Sequence, residues 1–284
     1  MFRAILVSLA FALLAAAQPP APLGQLIDSG GYRVHLYCSG AGSPTVVIAG
    51  AGFSFDWALV QPEVAKFTRI CAYDPSGTAW SDGSLDLNCL GRVEELHSLL
   101  RAPSVDPLYV VAGLSVGALV ARLYAPRYLD EVGGMAIVDH AFIDVGGDSS
   151  PPAVPGLDSP PVLIHKEPID LTVAETSDFH RLPTNIQELR RWAMSLKPKL
   201  PTFETAEDCL AKLSGADTLG RRPLAIVSTA NDHPNYKRLQ KQLLSLSTRS
   251  RQFLADGSFH SLEIDQPEVV VAAIRWVLEA LQQP

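Results

Sequence analysis

Short, dense apolar runs alternate along this chain with segments whose apolar residues recur at helical spacing. Residues 24–28 and 32–38 read as two strands joined at Gly30-Gly31, a hairpin signal. Residues 45–49 (TVVIA) and 69–73 form compact apolar runs of the kind that make buried strands. A helix is expected over 88–100 and a strand over 108–114. The apolar spacing of 116–124 predicts a second helix, stopped near Pro126, whose ring cannot sit inside a helix without losing a hydrogen bond. Residues 134–138 return to the strand pattern. Beyond Asp139 the rhythm changes: residues 146–161 are rich in Gly, Ser and Pro and read as loop, while 185–196 and 205–213 look helical. Strand signals resume at 223–228 and 251–254. A last helix opens with Pro267 in its first turn, where a missing N–H costs nothing. Val270, Ala273, Ile274, Val277, Leu278 and Leu281 mark its buried face.

Strands alternating with helices predict an α/β fold with a mostly parallel central sheet of about eight strands and helices on both faces. The stretch 140–220 interrupts that alternation. It reads as a helical cap inserted into a core made of residues 18–139 and 221–284.

Composition narrows the class of partner. With 284 residues, 47% of them hydrophobic, the chain can bury one large core. Its net charge is −7 and its 23 Lys and Arg are scattered, so no basic stripe for nucleic acid is present. The chain starts Met-Phe-Arg, continues with an apolar run over 4–14, and reaches Ala15-Ala16-Ala17. A positive start, a short apolar core and small residues at a cleavage point predict a signal peptide over 1–17. The run falls short of the ~20 residues needed to span a bilayer. A secreted or periplasmic protein without stable membrane insertion after cleavage is expected, with a linker at 19–22. Cys38, Cys71, Cys89 and Cys209 then allow two disulfides in three connectivities. Cys38 and Cys71 both fall in predicted strands, so a cross-strand pair is feasible; four buried thiols are the alternative. No cysteine or histidine spacing suits zinc.

The sharpest chemical signal is Gly113-Leu114-Ser115-Val116-Gly117, a G-x-S-x-G between an apolar strand and a helix. That context puts a hydroxyl on a tight turn at the carboxyl end of a sheet, beside a helix N-terminus that favours developing negative charge. A hydroxyl needs a base to take its proton. Of seven histidines, His260 follows a strand and loop and precedes the last helix, so it can swing back over Ser115. The acid that orients the imidazole should lie between Ser and His in the chain. Asp232, closing the run from Pro223, is the first candidate, and Asp139, closing Met135-Ala-Ile-Val, is the alternative. Oxyanion donors are expected at the N–H of Val116 and in the loop Ala49-Gly50-Ala51-Gly52-Phe53, with Ala51 first and Gly52 second. Phe53 and Trp57, with Trp192 from the cap, are candidates for lining a substrate pocket.

Taken together these residues resemble the α/β-hydrolase superfamily, in its lid-bearing branch. Ser115, Asp232 and His260 run in the chain order typical of it. Tyr73-Asp74-Pro75-Ser76-Gly77-Thr78-Ala79-Trp80-Ser81-Asp82 is similar to its Y-D-x-x-G-x-G-x-S-D segment, and Asp265-Gln266-Pro267-Glu268 to its closing motif. The resemblance covers about residues 24–281 and is poor over the cap. Two departures stand out: Ala49-Gly50 replaces the frequent His-Gly, and Ala79 replaces a usual Gly. The resemblance implies a serine hydrolase cleaving carboxylic esters through an acyl-enzyme, on a small-molecule substrate and with no metal or organic cofactor. A Ser nucleophile disfavours the epoxide hydrolases and haloalkane dehalogenases, which use Asp. An aminopeptidase-like amidase or an acyltransferase on the same triad is the alternative. An amidase should need an acidic anchor for the substrate amine, such as Glu175 or Glu188 of the cap, but the sequence holds no strong cluster of that kind. A non-catalytic hydrolase-like binding protein is the second alternative.

Overall fold

Strands buried on both faces alternate their side chains between two helical layers, and this period of two organises the core. The computed structural model describes residues 19–50, 52–83, 88–101, 105–140, 162–164, 179–196, 209, 211–213, 218–229, 234–256 and 260–283. Its strands are β1 (Gln25–Asp28), β2 (Arg33–Ser39), β3 (Thr45–Ala49), β4 (Ile70–Tyr73), β5 (Tyr109–Ser115), β6 (Val132–His140), β7 (Val162–Ile164), β8 (Leu224–Thr229) and β9 (Ser250–Ala255). They form one nine-stranded sheet in the order β1-β2-β4-β3-β5-β6-β8-β9-β7. β2 pairs antiparallel with both β1 and β4, and every other pairing is parallel.

Helices α1 (Gln61–Val64), α2 (Cys89–Leu100), α3 (Val116–Arg127), α4 (Thr184–Ser195), α5 (Pro234–Leu244), α6 (Leu262–Asp265) and α7 (Pro267–Leu281) complete the chain. Val47, Val111, Met135, Ile137, Leu224 and Ile226 point into a cluster with Leu96, Leu99, Leu119, Leu123 and Leu243, the layer of α2, α3 and α5. Their neighbours Val46, Ile48, Val110, Ala112, Ala136, Val138, Ala225 and Val227 point the other way, into Val64, Val270, Ala273, Ile274 and Val277 of α1 and α7. The expected parallel sheet with two helical layers is therefore what the chain forms.

Local chemistry explains the boundaries. Gly30 and Gly31 take φ values of +82° and +107° in the turn from β1 to β2, a region open to glycine at no steric cost. Asn88 caps α2 by accepting from the Gly91 N–H at 2.8 Å. α3 carries Pro126 in its last turn and ends one residue later. Pattern alone does not mark α5, because its polar residues outnumber the apolar ones that Leu239, Leu243 and Leu244 bury.

The described residues of the stretch read as a cap, 140–220, take part in the sheet and in a packed cluster. β7 pairs with β9 and adds an edge strand to the sheet. α4 packs on a third cluster of Phe53, Phe55, Leu182, Ile186, Leu189, Ala193 and Ile264. The expected loop at 146–161, most of the helix at 205–213 and the signal segment 1–17 lie outside the described residues. Among the described residues no helix is long and apolar enough to cross a membrane.

All four cysteines are paired. Cys38 and Cys71 face each other across β2 and β4 in register and are joined. Cys89, at the start of α2, is joined to Cys209.

Candidate active site

β5 runs straight into α3, and the reversal falls on Ser115. Its backbone sits at φ +53°, ψ −116°, which a residue with a side chain holds only when its surroundings over-determine it. The turn closes tightly because Gly113 has no side chain. A Cβ there would lie 2.4 Å from the Gly117 carbonyl carbon and oxygen and 2.7 Å from the Ala118 nitrogen. Gly113→Ala is expected to destabilise the fold by at least about 2 kcal/mol, the upper range of an overpacked core. A urea midpoint equal to that of the wild type would refute this close approach. Ser115 is half-buried, and Val116 begins α3, so its N–H is one of the helix's unpaired first-turn donors.

The neighbouring strand delivers the acid. β5 and β6 pair Leu114 with Val138 and then Ser115 with His140, so Asp139 is the extra residue of a bulge. Its φ is +33°. A bulge re-aims a side chain at a strand end, and here the carboxylate of Asp139 meets His260. Nδ1 of His260 lies 2.6 Å from Oδ2 of Asp139. A carboxylate only accepts, so Nδ1 carries the proton and Nε2 is left as the basic nitrogen. The hydrogen bond to Asp139 is the largest influence raising the His260 pKa; burial opposes it and the Asp139 charge adds to it. Asp139, second to Asp232 on sequence grounds, is, among the described residues, the carboxylate hydrogen-bonded to His260. Asp232 lies outside the described residues, just past the end of β8.

The loop expected to supply the second oxyanion donor follows β3. Ala51 lies outside the described residues and Gly52 within them. The amides that come next are held by two buried carboxylates: Phe53 N–H donates to Asp56 Oδ2 at 3.1 Å, and Ser54 N–H to Asp74 Oδ1 at 2.6 Å. Phe53 is buried against Phe55 and the α4 residues of the third cluster, at the junction of this loop with α4. Trp57 is placed differently: it packs with Val46, Ile48, Val60 and Val64 in the sheet core and is 5% exposed, so it is core packing. Trp192 packs against Trp80 at a tilt of 37°, with ring centroids 5.1 Å apart. Ala79, where the resembling segment usually has Gly, takes φ +42°, which is why Gly is the usual residue there. A groove of about 540 Å³ between β9 and α7, lined by Phe253, Val271, Arg275 and Trp276 among others, includes none of Ser115, Asp139 or His260.

Residues 36–273 match the model of the alpha/beta hydrolase family. The chain belongs to that family. A Bacillus subtilis protein, YqjL, is 25% identical to this hydrolase over 256 residues, covering 87% of this chain and 88% of that one. A 2-hydroxymuconate semialdehyde hydrolase of Pseudomonas sp. (strain CF600) is 31% identical over 150 residues, 51% of this chain and 50% of that one. The aligned stretches span between 31% and 88% of the curated relatives' own lengths. A thermophilic esterase from Thermogutta terrifontis has the same fold, with a TM-score of 0.61 at 18% identity, over 90% of this chain and 97% of that one.

Several buried ionisable groups of the hydrolase have surroundings that no local pattern announces. His35 and Asp74 are both fully buried, with Nδ1 and Oδ2 2.8 Å apart. Arg190 of α4 donates to Asp56 Oδ1 at 2.6 Å. Glu263, three residues after His260, is 4% exposed, and its Oε2 has no hydrogen-bond partner among the described residues. Burial above all pushes the Glu263 carboxyl up to about 8, with the nearby charges of Asp56 and Asp265 adding to it. An acid whose folded pKa is raised binds its proton in the native state while the unfolded chain has lost it. Stability therefore falls as pH climbs from the ordinary value of 4.5 to about 8, by on the order of 5 kcal/mol from this group. Glu263→Gln should remove that slope. Urea midpoints of both proteins across the window check it, and parallel curves would show that Glu263 titrates normally.

Proposed function

We propose that this hydrolase cleaves carboxylic esters through Ser115, His260 and Asp139. The observation that carries the reading is the Asp139–His260 hydrogen bond at a bulged strand end beside the strained turn of Ser115. His260 Nε2 takes the Ser115 proton as Oγ attacks the ester carbonyl carbon. The oxygen of the tetrahedral intermediate becomes anionic and is held by the N–H groups of Val116 and of Ala51 or Gly52. His260 then gives the proton to the departing alkoxide, leaving an acyl group on Ser115. Water, deprotonated by the same imidazole, releases the acid and restores the hydroxyl. Each step needs one proton carrier and two amides, all from this chain.

Likeness to an esterase in fold, and in sequence to an enzyme named as a semialdehyde hydrolase, supports a small carbonyl substrate. Export fits the same picture: the apolar N-terminal run supports it, and two disulfides suit an oxidising compartment. The test is hydrolysis of short and medium p-nitrophenyl esters by wild type and Ser115→Ala. Peptide amides cleaved in place of esters would move an amidase to the front. A folded wild type that cleaves neither and resists a fluorophosphonate probe would be a binding protein.

A further inference from the structure

Two consecutive amides at the end of the loop after β3, those of Phe53 and Ser54, end on two different buried carboxylates, and each carboxylate has its own basic partner. Asp74 stands beside His35, whose Nε2 accepts the Gly24 N–H at 2.9 Å. Asp56 stands beside Arg190, which comes from α4, in the segment read as a cap. The Asp56 side chain is 11% exposed and that of Arg190 24%, and the guanidinium also lies 3.7 Å from the centroid of the Phe179 ring. Burial pushes the Asp56 carboxyl up and Arg190 is the largest influence pulling it back. The space around Asp56 is tight: a Cβ on Gly52 would come within 2.8 Å of its Oδ2. The same Oδ2 accepts the Phe53 N–H at 3.1 Å, so a shift of that carboxylate moves the backbone at the end of the loop.

We propose that Arg190 is a positioning residue, which through Asp56 fixes the oxyanion loop and so couples ester hydrolysis to the docking of α4. The inference rests on the ester-hydrolase reading above. Oxyanion donors act only when they are held in place before charge develops. A loop whose geometry depends on a contact from α4 is in place only when α4 is seated. Arg190 touches no reacting atom in this scheme, so its loss should slow turnover and leave substrate binding nearly intact.

The experiment is a double-mutant cycle on p-nitrophenyl acetate and butyrate with Asp56→Asn, Arg190→Gln and both together. Arg190→Gln is expected to lower kcat about tenfold or more with KM held within about threefold. Arg190→Lys should restore part of it, and serves if the Gln variant fails to fold. Because both residues act on one loop, the double variant should lose no more than the worse single one. Additive losses in an active enzyme, or a loss confined to KM, overturn the inference alone. A wild type inert toward both esters and a fluorophosphonate overturns the ester-hydrolase reading, and the inference falls with it.

Discussion

Ser115→Ala is expected to abolish ester hydrolysis, with kcat falling by about 10³-fold or more while the protein stays folded. Alanine removes only the Oγ. The turn between β5 and α3 is held by the absence of a side chain at Gly113 and by strand pairing on both sides of β5, neither of which the hydroxyl supports. Its backbone strain at φ +53° stays, since Ala and Ser share a Cβ. What remains would be the rate that the oxyanion amides and substrate binding supply by themselves. Circular dichroism and the urea midpoint establish that the fold is intact, and p-nitrophenyl release gives the rate. Activity within tenfold of wild type would mean that another group attacks the ester.

Asp139→Asn should cost nearly as much, about 10³- to 10⁴-fold in kcat, because an amide lets the imidazole sit in the wrong tautomer and leaves the imidazolium without its anion. The same substitution has a pH signature. Hydrolysis requires neutral His260, so activity rises as pH climbs through its pKa, which Asp139 raises above the ordinary 6.5. Without the Asp139 charge that limb should move to lower pH, even as the plateau collapses. Asp232→Asn, measured beside it, should keep both the plateau and the limb. If Asp232→Asn carried the loss instead, the acid would be Asp232, and the Asp139 contact would be a feature of the resting protein alone.

Much of the fold was legible in the residues because local and global preferences agree. The run 45–49 becomes β3 with the same ends, and Pro267 opens α7 as its ring geometry allows. α5 was not legible, since its stripe of leucines is thin against its lysines and glutamines. β7 was not either: three residues carry no period, and an edge strand is defined by the β9 partner it finds.

The tight turn that carries Ser115 and the place of His260 between a strand and a helix were readable because each depends on neighbours close in the chain. Gly113 and Gly117 flank Ser115, and His260 follows a strand and precedes a helix. The choice of acid depends on which carboxylate a bulge turns toward the imidazole. Asp139 and Asp232 both close apolar runs, so local pattern cannot separate them, and the bulge that accompanies the Asp139–His260 contact arises from the pairing of β5 with β6 and has no local signature. The buried charges follow the same rule. Asp56 and Arg190 stand 134 positions apart, and no local preference joins them. The sequence by itself determined an α/β chain with a serine on the tight turn between a strand and a helix. Only the tertiary structure decided which charges meet, because a buried carboxylate such as Asp56 stays charged at low cost only where a distant residue such as Arg190 pairs with it.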